Sequence, residues 1–164
     1  MRFILDALAS FPDQLAAHFA AIPTDRRHWA PASWDGVPSE RLTAIEQVCH
    51  VRDIETDGYH IRFRRTLTED RPVLPGIDTY VYARDRYYAS ADPAQALAEF
   101  RSARATTVLM LQGLDESSLD RMAEFDGYGP VTLRSLIHYL CSHDQQHVAG
   151  LQWLLGKMHS IRTP

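Results

Sequence analysis

Cysteine is scarce: Cys49 and Cys141 are the only two in 164 residues, too few for a disulfide framework. A reducing cytosol would keep both as thiols, and each falls within a helical pattern, where a free thiol packs as a small core residue. No apolar run reaches the roughly 18 residues needed to span a bilayer. The opening Met1-Arg2-Phe3-Ile4-Leu5-Asp6 lacks the long apolar stretch and small-residue cleavage site of a secretory signal. These absences predict a cytoplasmic protein without membrane association. An excess of one charge is missing too. A net charge of -4 and a pI near 6.0 create no field that attracts a polyanion, and no local basic patch stands out, so no nucleic-acid partner is expected. Glycine-rich phosphate loops, nucleophile elbows and CxxC pairs are absent, as are a sustained alternating strand and any repeat of solenoid length.

What is present suits one compact domain over residues 1–164, with 45% hydrophobic and 23% charged residues. Four segments carry helical periodicity between clusters of Pro, Gly and Asp. Ser10, followed by Pro12 and Asp13, reads as a helix start, with Leu15, Phe19 and Ile22 on one face and Pro23 as the stop; residues 2–9 read as a preceding turn or kinked extension. A second helix starts at Thr43, with Glu46 at the capping-box spacing, or at Ser39, and runs through Ile54 and Ile61 to about Thr68. Residues 69–91 hold Pro72, Pro75, Gly76 and four tyrosines, and form a long connection. Asp92-Pro93 opens a third helix that Gly113 ends. Thr132 caps a fourth, whose Leu133, Leu136, Leu140, Leu151 and Leu154 form a buried stripe, ending near Gly156. The expectation is an all-α fold: a four-helix bundle with short outer links and a long crossover between the second and third helices.

Eight histidines would give roughly 0.4 pairs at spacing four by chance, so His143-x-x-x-His147 says little by itself. Its position says more. At about 100° per residue both rings lie in line with the leucine stripe of the last helix, and His50 lies within about 40° of Ile54 and 20° of Ile61 on the second. Three imidazoles then face one interior. Burying each unpaired costs roughly 1 to 3 kcal/mol, whereas one cation shared by an i, i+4 pair and a third ring from a facing helix satisfies them all. The competing reading is three core histidines, each bonded to a carbonyl or carboxylate. His18, His28, His60, His138 and His159 project elsewhere and are expected at the surface. Glu46, Asp53 and Asp144 stand where they can orient a ligating ring or form part of a solvated face. Arg62, Arg64 and Arg65 read as a solvated face, with an anion or phosphate site as the alternative. Glu is absent from the second position of His143-Asp144-Gln145-Gln146-His147, which argues against a zincin protease.

Ala30-Pro31-Ala32-Ser33-Trp34, Glu46-x-x-x-His50-Val51-Arg52-Asp53-Ile54-Glu55, Thr132-Leu133-Arg134-Ser135-Leu136 and His143-Asp144-x-x-His147 together resemble the DinB-like (DinB/YfiT) superfamily over nearly the whole chain. The resemblance implies a four-helix bundle with the middle crossover, a homodimer, and His50, His143 and His147 as ligands of a divalent metal such as zinc, nickel or iron. The chain departs from the family at Gly150, where members often carry Gln; Gln152 lies two residues on. Characterised relatives include thiol S-transferases that use low-molecular-weight thiols. The implied function is a metal-dependent transferase or hydrolase acting on small electrophiles, with such a thiol as a cosubstrate; Tyr80, Tyr82 and Arg84 of the crossover are, by position alone, the candidates for a base or a thiol-recognition group. The alternative is a non-catalytic dimeric bundle with a structural metal, acting as a binding or stress-response module.

Overall fold

The computed structural model describes residues 2–160. Helix α1 (Arg2–Ala20) starts well before Ser10, so residues 2–9 are regular helix and not a turn or kinked extension. The Ser10 hydroxyl caps nothing and bonds back to the carbonyl of Ala7 (3.0 Å). Pro12 therefore sits inside the helix, where it offers no N–H to the carbonyl of Leu8. The guanidinium of Arg104 fills that gap, with Nη1 donating to Leu8 O at 3.2 Å. A buried carbonyl left open by proline thus finds a tertiary donor.

The second rod begins where Thr43 and Glu46 predict: Glu46 Oε2 accepts from Thr43 N (2.8 Å) and Oγ1 (2.7 Å). Helix α2 (Ala44–Asp53) continues through a π turn, Ile54–Tyr59, into α3 (His60–Thr68). A π turn takes one extra residue, so everything beyond it lags by about 100° relative to an unbroken α-helix. Ile61 consequently leaves the His50 face and is 42% exposed, and Arg62 takes its place, 5% exposed.

The crossover is partly folded. It contains β1 (Val73–Leu74), α4 (Thr79–Asp85) and a 3₁₀ turn at Tyr88–Ser90. Helix α5 (Pro93–Leu111) opens on Asp92, whose Oδ1 accepts from Ala94 N at 2.8 Å, and it ends before Gly113 (φ +79°), as the sequence indicates. The short α6 (Glu116–Leu119) and a hairpin, β2 (Met122–Phe125) and β3 (Gly129–Thr132), precede α7 (Leu133–Ser160), capped by Thr132 Oγ1 accepting from Ser135 N. Strand β2 pairs antiparallel with β3 and parallel with β1, giving a three-stranded sheet that no periodicity in such short segments announces. Helix α7 runs past Gly156 to Ser160, since an exposed glycine weakens a helix by only about 1 kcal/mol.

The fold is a bundle of four rods, α1, α2–α3, α5 and α7, in which α1 and α2 each pack against both α5 and α7. The outer links are longer than expected. Residues 21–43 are anchored by Trp34 stacking on Trp153 of α7 (ring centroids 6.0 Å), and residues 112–132 carry the hairpin. Two apolar clusters fill the ends, one around Phe11, Val48, Phe100 and Leu151, the other around Phe63, Leu111, Phe125 and Leu136. Cys49 is buried and Cys141 half-buried, and burial pushes both thiols up to about 11, away from nucleophilic use. Among the described residues, no helix is long and apolar enough to cross a membrane.

A buried ion network joins the rods. Arg104 (α5) forms two bonds to Glu55 of the π turn (2.8 and 2.9 Å) and two to Asp144 of α7 (2.6 and 2.9 Å). Glu55 also accepts from Thr107 Oγ1, and His60 Nε2 meets Thr107 Oγ1 and Ala103 O at 3.0 Å. Arg104→Ala strands two buried carboxylates and should lower the unfolding free energy by about 3–5 kcal/mol in urea titration. A loss near zero would contradict the network's role.

Candidate metal centre

The three histidines singled out by the sequence meet. His50 comes from α2; His143 and His147 come from one face of α7. His50 Nε2 lies 3.1 Å from His143 Nε2, which lies 3.2 Å from His147 Nε2. Four ligands at 2.0–2.1 Å around a tetrahedral ion have their donor atoms about 3.3 Å apart. The spacing of the Nε2 atoms therefore fits one cation.

A fourth group was not legible in the sequence. Glu40, from the link between α1 and α2, brings Oε1 to 3.7 Å from His50 Nε2 and Oε2 to 3.4 Å from His147 Nε2. One ligand atom from each of Glu40, His50, His143 and His147 lies within 4.8 Å of every other. Glu40 Oε2 is buried without a hydrogen-bond partner, as a ligand atom awaiting a cation or an entering molecule would be, and the other ring nitrogen of His143, Nδ1, is buried and unpartnered as well. Burial pushes the His50 imidazole down to about 4, and desolvation, reinforced by neighbouring imidazoles, holds His143 and His147 well below the ordinary value. All three rings are thus neutral at pH 7, with lone pairs free for coordination.

The groups expected to orient the rings do other work. Asp53 is buried against Arg52 (2.7 Å), Arg86 (2.9 Å) and the Tyr88 hydroxyl (2.7 Å); Asp144 faces Arg104; Glu46 caps α2. The orienting group is Gln47, whose Oε1 accepts from His147 Nδ1 at 3.0 Å and so leaves the lone pair on Nε2. Its place, one turn before His50, was the available signal. Gly150 explains how Gln47 fits: a Cβ there would stand 2.3 Å from Ser39 Oγ and 2.6 Å from Gln47 Oε1. The glycine that departs from the family pattern is the space in which this amide sits.

His50 and His143 open on a cleft of about 440 Å³ whose lining also includes Glu40, Tyr59, Arg62 and Tyr128, while His147 is fully buried and does not line it. Tyr80, Tyr82 and Arg84 do not line it. Tyr80 is exposed beside Arg41, Tyr82 lies under Arg86, and Arg84 pairs with Asp85 in solvent. The tyrosines at the cleft are Tyr59 of the π turn, Tyr128 of the hairpin loop and Tyr139 of α7, which the fold brings together. Arg62 is buried there, whereas Arg64 is exposed and Arg65 binds Glu69 at 2.8 Å. Of the other histidines, His28, His138 and His159 are exposed as expected; His18 and His60 are half-buried.

With chelator present, stability should fall as the pH drops from about 6.5 toward 4. Over that window the unfolded chain takes up protons that folded His50 refuses, a loss of roughly 2 kcal/mol between pH 7 and 5 from this ring alone. Urea midpoints at the two pH values test it, since a flat profile would place the rings in solvent. Gly150→Ala should displace Gln47 and lower the melting temperature, and an unchanged midpoint would show that the link can yield.

A family model described as the DinB superfamily matches residues 7–150. Among solved structures, YfiT from Bacillus subtilis, a probable metal-dependent hydrolase with an unusual four-helix bundle topology, matches with a TM-score of 0.83 at 22% identity, over 96% of this chain and 87% of that one. No curated protein matches. The four rods, the crossover and the family match over most of the chain agree, and the chain belongs to the DinB superfamily.

Proposed function

We propose that this protein is a metal-dependent enzyme that transfers a thiol to, or hydrolyses, a small electrophile, with His50, His143 and His147 holding one divalent cation. The observation that carries the reading is the convergence of three neutral Nε2 atoms, two of them on rings that line an open cleft. YfiT's description as a probable metal-dependent hydrolase supports the class and leaves thiol transfer open. Zinc, nickel and iron all accept such a donor set, and availability selects among them. A bound divalent cation would lower the pKa of a thiol or water and polarise the electrophile.

The chain's own groups supply the rest. Gln47 fixes the His147 tautomer, and Asp144, locked to Arg104, fixes the turn of α7 between the two ligating positions. Glu40, with its side chain 31% exposed at the edge of the cleft, receives the proton of the entering thiol or water on Oε1. Tyr59 and Tyr128 exclude water from one wall.

One observation favours a structural metal instead: Glu40 stands where it can be a fourth protein ligand and close the site. Glu40→Gln separates the two. Full metal content with abolished turnover supports the enzyme; loss of metal supports the closed site. His147→Ala should bring metal content, read by plasma emission, to well under one ion per chain. Gln47→Ala should weaken affinity about 10–100-fold in a chelator competition. Turnover of a chromogenic electrophile with a panel of thiols, abolished by chelator and restored by metal, tests the chemistry. Retention of one tightly held ion by His147→Ala would overturn the assignment.

A further inference from the structure

We infer that the cleft takes a small molecule bearing a carboxylate, and that Arg62 is the group that binds it. The inference rests on the metal reading only for where the other end of the molecule lies. Arg62 is 5% exposed, yet among the described residues it has no ion pair, and its one hydrogen bond runs from Nη2 to the carbonyl of Pro75 at 3.3 Å. Its Nε is buried without a partner. The other deeply buried guanidinium, Arg104, is matched by two carboxylates. A desolvated cation lacking a counter-charge is strongly unfavourable, and a fold retains one where a ligand supplies the missing charge.

The side chain is also held ready. Its Cζ lies 4.5 Å from the centroid of the Phe125 ring and 5.1 Å from that of Tyr59, which fixes the plane of the fork. Gly58 leaves the room: a Cβ there would stand 3.0 Å from Arg62 Nη1. The extra residue of the π turn rotates Arg62 onto the His50 side of the rod, so cation and imidazoles line one cleft. Tyr59 neighbours both, its ring centroid 5.1 Å from Arg62 Cζ and 6.5 Å from the ring centroid of His143. A ligand that binds Arg62 and an imidazole-held cation together has this ring alongside it, with a short chain of atoms joining its carboxylate to its reacting centre.

The chemistry favours a carboxylate over a phosphate. One planar fork matches the two oxygens of a carboxylate, and apart from the cation that the imidazoles would hold, no second positive group lines the cleft beside Arg62 to share a dianion. Glu40 and Asp126, which also line it, oppose added negative charge. They do not neutralise Arg62, for Glu40 turns to the imidazoles and no ion pair joins Asp126 to the guanidinium.

The test uses the full chain, metal-loaded, with Arg62→Met and Arg62→Lys beside it, titrated calorimetrically with glutarate, glutaramide and inorganic phosphate. Glutarate should bind saturably at one site, at least tenfold more weakly in Arg62→Met and by an intermediate amount in Arg62→Lys, with glutaramide not binding and phosphate weaker than glutarate. Metal content should stay at the wild-type value in both variants, and Arg62→Met should melt no lower than wild type without ligand. Equal glutarate binding in Arg62→Met, no saturable binding by wild type, or tighter binding of phosphate would each overturn the assignment. A melting point several degrees lower in Arg62→Met would make Arg62 a packing residue and also overturn it. If His147→Ala alone abolished glutarate binding while Arg62→Met kept it, the anion would sit on the metal: the metal reading would stand and this one would fall.

Discussion

Arg104 is the interaction on which the rest of the structure depends. One guanidinium, 1% exposed, occupies the centre of the bundle and satisfies a carbonyl of α1, a carboxylate of the π turn and a carboxylate of α7. Ion pairs at such depth are a poor source of net stability, because desolvation offsets most of the attraction. Their value here is geometric. Bidentate contacts have narrow distance and angle requirements, so four rods that could slide over greasy faces are set in one register.

That register decides the chemistry. Asp144 lies directly after His143 and one turn before the end of the His143–His147 pair, so fixing its carboxylate fixes the face that α7 presents to α2. Glu55 lies within the π turn, whose extra residue would otherwise be a simple loss of hydrogen-bond quality. With Glu55 anchored, the turn rotates α3 and brings Arg62 to the same cleft as His50. The polar interior and the site are therefore one construction. Neutral imidazoles occupy its open end, and the compensated charges of Arg104, Glu55 and Asp144 lie behind them.

Much of the fold was legible because it is local. Asp92-Pro93, Thr43 with Glu46, and Thr132 begin helices by bonding their own neighbours, which sequence spacing encodes directly. Pro12 misled for the complementary reason: its cost is met by a residue more than 90 positions away. The hairpin was illegible because strands of four residues carry too little alternation to distinguish them from a loop. In the site, His143 and His147 were readable as one turn of one helix, and His50 through its place ahead of the π turn. Ile61, beyond it, was not, since the register assumed an unbroken helix.

By itself the sequence determined the four rods, the caps at Thr43, Asp92 and Thr132 and the inward face of three imidazoles, because each depends on contacts within a few residues. Only the tertiary structure decided that Glu40 joins the three imidazoles, that Gln47 and not Asp53 bonds a ring, and that Arg62 enters the cleft. Those outcomes depend on a link folding back against α7, on the space over Gly150 and on one extra residue in a helical turn. Each is a matter of which distant surfaces meet, and no periodicity along a chain records that.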